Sequence, residues 1–373
     1  MRLGIDLVNL RSFHEGTGRY ARQLLDGLAS ADGISQCVLF VNEMVAGQFD
    51  VDDPRFRKVV VEAPRRKYLP SNQLYFALGK KLRGLDFLHS PVSVSPLFSR
   101  TRTIITVHDL AFAIYPEYYS KTGLLYWRFA LRWACRKASR VLADSESTKQ
   151  DLMRFMGVPA QKIRVVYPCL SLSCDGHSPG SLAGFRLRYG LPENYVLHIG
   201  APQGRKNLAT LVKSFRIAKE KAAIPHKLVL AGPESRLIDT LSAVIADSGM
   251  QDEVIFPGFI PEDDLPLLYQ SAALLAFPSL YEGFGYPPLE AMGCGTPVVT
   301  SDASSLPEVA GGAGLFVADP LNPEELATKI LQVLQSPEMA AKMRALGLAR
   351  ARQFSRERMV AGILKAYEEV RSL

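Results

Sequence analysis

The sequence predicts an α/β protein made of two Rossmann-like, parallel-sheet domains. Three observations carry this reading. Short β-branched and apolar runs alternate with helical periodicities along nearly the whole chain, the pattern of repeated βαβ units. The alternation stops from Pro168 to Gly184, where Ser171, Ser173, Gly176, Ser178, Pro179, Gly180 and Ser181 give a linker composition, and then restarts. A length of 373 residues suits two domains, and 47% hydrophobic with 22% charged residues is the balance of a chain that buries a core.

In the first half, strands are expected at Arg2–Leu7, Gln36–Asn42, Arg57–Glu62, Phe87–His89, Thr103–Val107, Val141–Ala143 and Ile163–Tyr167. Helical faces lie between them: Tyr20, Leu24, Leu25 and Leu28 share one, and Leu124, Trp127, Leu131, Ala134 and Ala138 share another. In the second half, strands are expected at Tyr195–Ile199, Lys227–Ala231, Val254–Phe256, Leu274–Phe277, Pro297–Thr300 and Leu315–Val317, and the chain from Pro323 reads as helix. The expected division is a first domain at residues 1–170, a linker at 171–185, a second domain at 186–355, and a helix at 356–373 packing back toward the first domain. Ligands of open α/β sheets sit outside the carboxyl ends of the strands. Two such domains facing a cleft make every polar motif just after a strand a candidate.

Composition narrows the function. The apolar run at the N-terminus is broken by Asp6 and reads as a buried strand, not a signal peptide. No run approaches a membrane span, so a cytoplasmic protein is expected. Five scattered cysteines, an odd number without a zinc-type spacing, are expected as buried free thiols. The net charge of +7 favours anionic partners. Without a nucleic-acid-binding signature, phosphates and anionic membrane surfaces stand ahead, and no nucleic acid is expected.

Four motifs carry chemistry. After the strand ending near Phe277 come Glu282-Gly283-Phe284-Gly285, a Pro287-Pro288 helix start, and Glu290. The glycines admit close backbone approach, and the two carboxylates are acceptors for sugar or ribose hydroxyls. After Ile199, Gly200 leads to Arg205-Lys206, a planar donor fork and a point charge suited to phosphate oxygens. Gly16-Thr17-Gly18 opens the first helix. As a dinucleotide fingerprint it fits poorly, because eight residues separate it from the strand and Glu43 lies 27 residues beyond Gly16. Thr106-Val107-His108-Asp109 ends a buried strand, where a hydrogen-bonded His and a capping Asp are the plain alternative. No His/Asp/Glu/Cys cluster stands at metal-ligand spacing.

The Glu-x7-Glu spacing enclosing Gly-Phe-Gly, continued through Gly293-Cys-Gly-Thr-Pro-Val-Val-Thr-Ser301 and Leu306-Pro-Glu308, resembles the retaining glycosyltransferases of the GT-B fold, family 4. Tyr286 and Gly293 stand where Leu and Ala are more usual. The resemblance implies transfer from a nucleotide-diphosphate sugar without a metal ion or other cofactor. It places His108, Arg205, Lys206 and Glu282 at the reaction. It assigns donor binding to Gly16, Gly18, Gly200, Phe259, Ile260, Gly283, Phe284, Gly285, Leu289 and Glu290, and puts Asp109 and Glu146 on the acceptor side. The likeness to mannosyltransferases of bacterial surface polysaccharides suggests GDP-mannose, with UDP-sugars close behind. An epimerase or hydrolase of nucleotide sugars, a non-catalytic sugar-nucleotide-binding subunit and a nicotinamide oxidoreductase are the rivals.

The acceptor side offers one more pattern. Arg128, Arg132, Arg136 and Arg140 recur every four residues, flanked by Trp127 and Trp133, and Arg65-Arg66-Lys67-Tyr68-Leu69 adds a basic run. This is either a solvated face or a surface that leans on an anionic membrane, at the inner face of the plasma membrane, to reach a glycan or polyprenyl-diphosphate-linked acceptor.

Overall fold

The computed structural model describes residues 1–13, 16–50, 52–61, 82, 84–94, 96, 101–174, 178–233 and 238–372. Glu15, the end of the expected strand at Glu62 and the basic run Arg65–Leu69 lie outside these. The chain divides into two units: Met1–Cys169 with Phe354–Leu373, and Leu170–Gln353.

The first unit holds a seven-stranded parallel sheet of β1 (Arg2–Leu7), β2 (Gln36–Val41), β3 (Phe56–Val60), β4 (Phe87–Ser90), β5 (Thr103–Val107), β6 (Arg140–Ala143) and β7 (Ile163–Val165), in the order β3-β2-β1-β4-β5-β6-β7. Strands β1, β4, β5 and β6 are almost wholly buried, which is why they read as apolar runs and not as alternating patterns. The second unit holds six parallel strands, β8 (Tyr195–Ile199), β9 (Lys227–Ala231), β10 (Val254–Ile255), β11 (Leu274–Phe277), β12 (Val298–Ser301) and β13 (Gly314–Val317), in the order β10-β9-β8-β11-β12-β13. Strand order reverses between β1 and β4 in one sheet and between β8 and β11 in the other. At such switch points adjacent loops leave in opposite directions and open a crevice at the carboxyl ends.

Helix Arg356–Arg371 belongs to the first unit. Met359, Ile363, Ala366, Tyr367 and Val370 enter the same core as Leu3, Ile5, Tyr20 and Leu24. Its anchor is polar. The Tyr367 hydroxyl meets His89 Nδ1 at 2.7 Å, and His89 Nε2 meets the Thr106 hydroxyl at 2.8 Å. Burial pushes His89 down to about 3, so the ring is neutral and each nitrogen needs a partner.

Three expectations are corrected. The segment expected as linker contains the helix Pro179–Arg188. Ser178 caps it by accepting from the Ser181 N–H, Pro179 occupies its first turn, and Phe185 is buried, so a Ser/Pro/Gly composition that reads as linker is here a helix start. Two cysteines are not free thiols: Cys174 and Cys294 form a disulfide across 120 residues of sequence. The Cys174 segment runs beside helix Tyr286–Gly293, where a Cβ on Gly293 would come within 2.4 Å of Leu170, so the unusual glycine makes room for that segment. Cys37, Cys135 and Cys169 are free and buried. Finally, Arg140 is not part of a basic helical row. The helix Lys121–Lys137 ends before it, and Arg140 opens β6, paired with Glu369 at 2.8 Å. Trp127 likewise turns inward, against Phe112.

Tyr367→Phe removes one hydroxyl and strands a buried imidazole nitrogen. The expected loss is about 1–3 kcal/mol of stability, measured by denaturant unfolding. An unchanged midpoint would show that the hydroxyl does not anchor the helix.

Candidate active site

The second unit gathers most of the predicted residues at its switch point. The turn after β8 passes through Gly200 (φ +139°) into Gly204–Lys206, and the loop after β11 carries Glu282. Asn207 holds the first loop in place: it sits in the left-handed region (φ 59°), and its side-chain amide donates to the carbonyls of Pro278 and Pro320. The Leu280 N–H donates to the Arg205 carbonyl at 2.7 Å, joining the two loops directly.

Glu282 is the hub. Arg205 Nη1 donates to its Oε2 at 2.7 Å and to the Tyr281 carbonyl at 2.8 Å, while Lys206 Nζ donates to its Oε1 at 2.7 Å. The Lys206 ammonium also lies 4.8 Å from the Phe277 ring centroid. Burial alone would push the Glu282 carboxyl up, but the Lys206 and Arg205 charges overcome it and hold it down at about 2. Beneath them His198 stacks on Phe277. Burial, assisted by Lys206, pushes it down to about 4, so it adds no competing charge.

Sequence reasoning missed what fixes the Glu282 loop. Ser304, a non-glycine residue in the left-handed region (φ 51°), accepts from the Glu282 N–H at 2.9 Å through its hydroxyl. The buried Ser305 hydroxyl faces the carbonyls of Glu282 (2.9 Å) and Phe284 (2.7 Å). The strained conformation of Ser304 is kept because both backbone ends of Glu282 are gripped. A Ser-Ser pair two residues before a Pro-Glu helix start is the only trace of this in the sequence.

The rest of the Gly-rich motif packs inward. Gly285 begins helix Tyr286–Gly293 at φ +107°, a conformation that a side chain would strain. Gly283, Phe284 and Leu289 are buried, and Phe284 sets its ring edge-to-face against Tyr286. Glu290 is 2% exposed and accepts from the Tyr269 hydroxyl at 2.7 Å, on the interior side of its helix. In the loop after β10, Phe259 is 58% exposed while the neighbouring Ile260 is buried.

In the first unit, Gly16 and Gly18 lie in the first turn of helix Gly16–Ala29. A Cβ on Gly18 would fall 1.9 Å from the Ser12 carbonyl oxygen, so backbone packing requires this glycine. His108 follows β5, with Nδ1 2.7 Å from Asp144 Oδ2 and Nε2 2.7 Å from the Pro91 carbonyl. Asp109 accepts from the Ala111 N–H, just ahead of the short helix Ala111–Ile114. Glu146 heads helix Glu146–Asp151, exposed and paired with Lys149. Asp144, just after β6, thus meets a predicted site residue, His108. Asp6, buried at the end of β1, was also unforeseen. Burial pushes its carboxyl up to about 7 against hydrogen bonds from Val8 N–H and the Ser90 hydroxyl. Among the described residues no group of three His, Cys, Asp or Glu is placed to hold a metal ion.

Two parallel-sheet units, each with a reversal of strand order at its centre, make the architecture of the GT-B fold. Residues 186–348 match the family described as glycosyl transferases group 1, and residues 14–173 match glycosyltransferase family 4. The O-antigen chain mannosyltransferase B of Escherichia coli is 31% identical over 371 residues, covering 95% of this chain and 96% of that protein. Among solved structures, a sucrose-phosphate synthase from Thermosynechococcus elongatus superposes with a TM-score of 0.80 at 23% identity, over 99% of each chain. Anabaena HepE, solved with UDP and glucose, gives 0.78 at 20% identity, over 99% of this chain and all of that one. The chain belongs to the group 1, family 4 glycosyltransferases, and it is an enzyme of that class.

The depressed Glu282 carboxyl makes a signed prediction. Its folded-state value of about 2 lies below the ordinary 4.5. It therefore stabilises the fold fully above that ordinary value, and the contribution is lost as pH falls toward 2. Glu282→Gln leaves two cations without their counter-charge and is expected to cost about 3 kcal/mol at pH 7. The gap from the parent protein should close between pH 4.5 and 2 in thermal melts. A gap independent of pH would mean that the carboxylate's charge is not what holds the two loops.

Proposed function

We propose that this glycosyltransferase moves mannose from GDP-mannose, with retention and without a metal ion, to a glycan or polyprenyl-diphosphate-linked acceptor in bacterial surface polysaccharide synthesis. The observation that carries the reading is Arg205 and Lys206 converging on Glu282 at the switch point of the second sheet. As the bond from the anomeric carbon to the phosphate oxygen breaks, negative charge grows on the diphosphate. Fixed cations in a largely buried site stabilise such charge most effectively, because they need no reorganisation. The acceptor oxygen bonds to the anomeric carbon from the same face, and its proton passes to the departing phosphate. Glu282 orients the sugar and supplies negative charge near the oxocarbenium-like centre. Mannose is supported by the E. coli relative, an O-antigen chain mannosyltransferase. The UDP and glucose held by HepE make a UDP-sugar the alternative.

Arg205→Ala and Lys206→Ala are each expected to lower turnover by about 10²-fold. In thermal shift, GDP-mannose should raise the melting temperature more than UDP-glucose, since a ligand stabilises the state it binds. Preferential stabilisation by UDP-glucose would reassign the donor, and donor consumption that proceeds equally without acceptor would make the enzyme a hydrolase or epimerase.

A cytoplasmic location, peripheral at the inner face of the plasma membrane, draws on helix Lys121–Lys137. It exposes Leu125 (73%) and Phe129 (59%) beside the exposed Arg128, Arg132 and Arg136, a mixed apolar and basic face. No helix among the described residues is long and apolar enough to cross a membrane. Each basic residue near an anionic surface contributes about 1 kcal/mol, screened by salt. Co-sedimentation should therefore favour vesicles containing phosphatidylserine over neutral ones, fall with salt, and be lost when Arg128 and Arg132 become Glu. Equal, negligible binding to both vesicle types would point to a soluble acceptor.

A further inference from the structure

The ring of His108 has no face left for proton transfer to a substrate. Both nitrogens are engaged at 2.7 Å, one with the Asp144 carboxylate and the other with the Pro91 carbonyl. A carbonyl can only accept, so Nε2 carries a hydrogen and donates it to Pro91. The contact between Nδ1 and Asp144 then requires one further proton, on the ring or on the carboxyl. The two residues hold it jointly. Their side chains are 17% and 3% exposed, so water cannot substitute for either partner easily.

The pair also spans the fold. Pro91 follows β4, His108 follows β5, and Asp144 follows β6, so one imidazole ties three consecutive strand ends together at the carboxyl edge of the first sheet. Thr148, from helix Glu146–Asp151, adds its hydroxyl to the His108 carbonyl at 3.3 Å.

We propose that His108 and Asp144 act as a single one-proton clamp on the ends of β4, β5 and β6, and that Asp144 is a positioning residue whose charge sets the alkaline limit of sugar transfer. The functional half of this rests on the reading that these strand ends receive substrate. The clamp fails when its shared proton leaves. The carboxylate then faces a bare nitrogen lone pair, or the ring shifts its remaining hydrogen to Nδ1 and loses Pro91. Burial pulls the His108 ring down, but the Asp144 charge and hydrogen bond outweigh it and move it above its ordinary value. Burial raises Asp144 as well. Both directions keep the proton on the pair past the pH at which a free imidazole loses it.

Among the described residues, Asp109, His89 and Tyr20 also face the ring. Asp109, on the loop after β5, favours the proton. His89 on β4 is held neutral by burial. Tyr20, from helix Gly16–Ala29, sets its ring edge-on at 5.0 Å, and burial together with Asp144 keeps its phenol protonated.

Asp144→Asn separates charge from shape. An asparagine amide can donate to the lone pair of a neutral ring while Nε2–H still serves Pro91, so the clamp survives without the shared proton. In the ¹⁵N-labelled full-length protein, with His108 assigned by His108→Gln, the parent ring resonances should change once, above pH 6.5. In Asp144→Asn they should show no change over that range. In turnover, kcat/KM of the parent should fall on the alkaline side at the pH of the NMR transition, and Asp144→Asn should lack that fall. A parent ring that titrates at or below 6.5 overturns the clamp, and the parent measurement alone decides this if the variant does not fold. An alkaline fall unchanged in Asp144→Asn, or moved to lower pH as an acid–base role for the ring would require, overturns the positioning role. Absence of any sugar transfer would count against the proposed donor and acceptor reading, while the NMR arm would still decide whether the pair shares its proton.

Discussion

A carboxylate taken out of water is tolerated only where fixed positive charge replaces its hydration, and Glu282 meets that condition between Arg205 and Lys206. Much of the second unit serves this one contact. Asn207 sets the cation loop by bonding the carbonyls of Pro278 and Pro320, and Ser304 and Ser305 grip the backbone on both sides of the carboxylate. The neutral His198, stacked on Phe277, keeps the surroundings free of a third cation. Loosening any of these would let the two cations drift from the carboxylate they compensate.

The first unit solves a related problem without net charge. His89 stays neutral between Tyr367 and Thr106, and His108 is balanced by Asp144. The Thr106 hydroxyl also lies 3.2 Å from that of Tyr20, whose ring leans on His108. Buried polar contacts therefore run from helix Arg356–Arg371 through His89 and Thr106 to Tyr20, whose ring contact carries the packing on to His108 at the carboxyl edge of the sheet. Low local dielectric makes each member strong when partnered and costly when not, which gives such a network one preferred geometry.

What was legible in the sequence follows from the range over which each signal acts. Strands such as Thr103–Val107 and Leu274–Phe277 are buried on both faces, so their apolar runs announce them. That Arg205-Lys206 and Glu282 belong to one site was legible because each motif sits directly behind a strand and switch-point loops converge; that they pair with one another was not. Contacts closed only in three dimensions left no local mark. Cys174 and Cys294 meet across 120 residues, and Asp144 finds His108 because β5 and β6 are neighbours in the sheet. Arg140 was misread because its four-residue spacing continues a helical pattern past the point where Ala138 turns extended. Composition misled at Pro179–Arg188, where serine, proline and glycine serve helix initiation.

The return of residues 354–371 to the first unit has a bearing on how the chain is made. The second unit is one uninterrupted stretch, Leu170–Gln353, so all of its internal contacts are available once that stretch has left the ribosome. Most of the first unit precedes the second, yet its core is missing Met359, Ile363, Ala366, Tyr367 and Val370 until the whole of the second has been synthesised. Domains usually mature in the order of synthesis. Here the later-made unit is the one able to finish first, and the earlier one must keep its apolar face and the nitrogens of His89 waiting for a partner made only after the second unit.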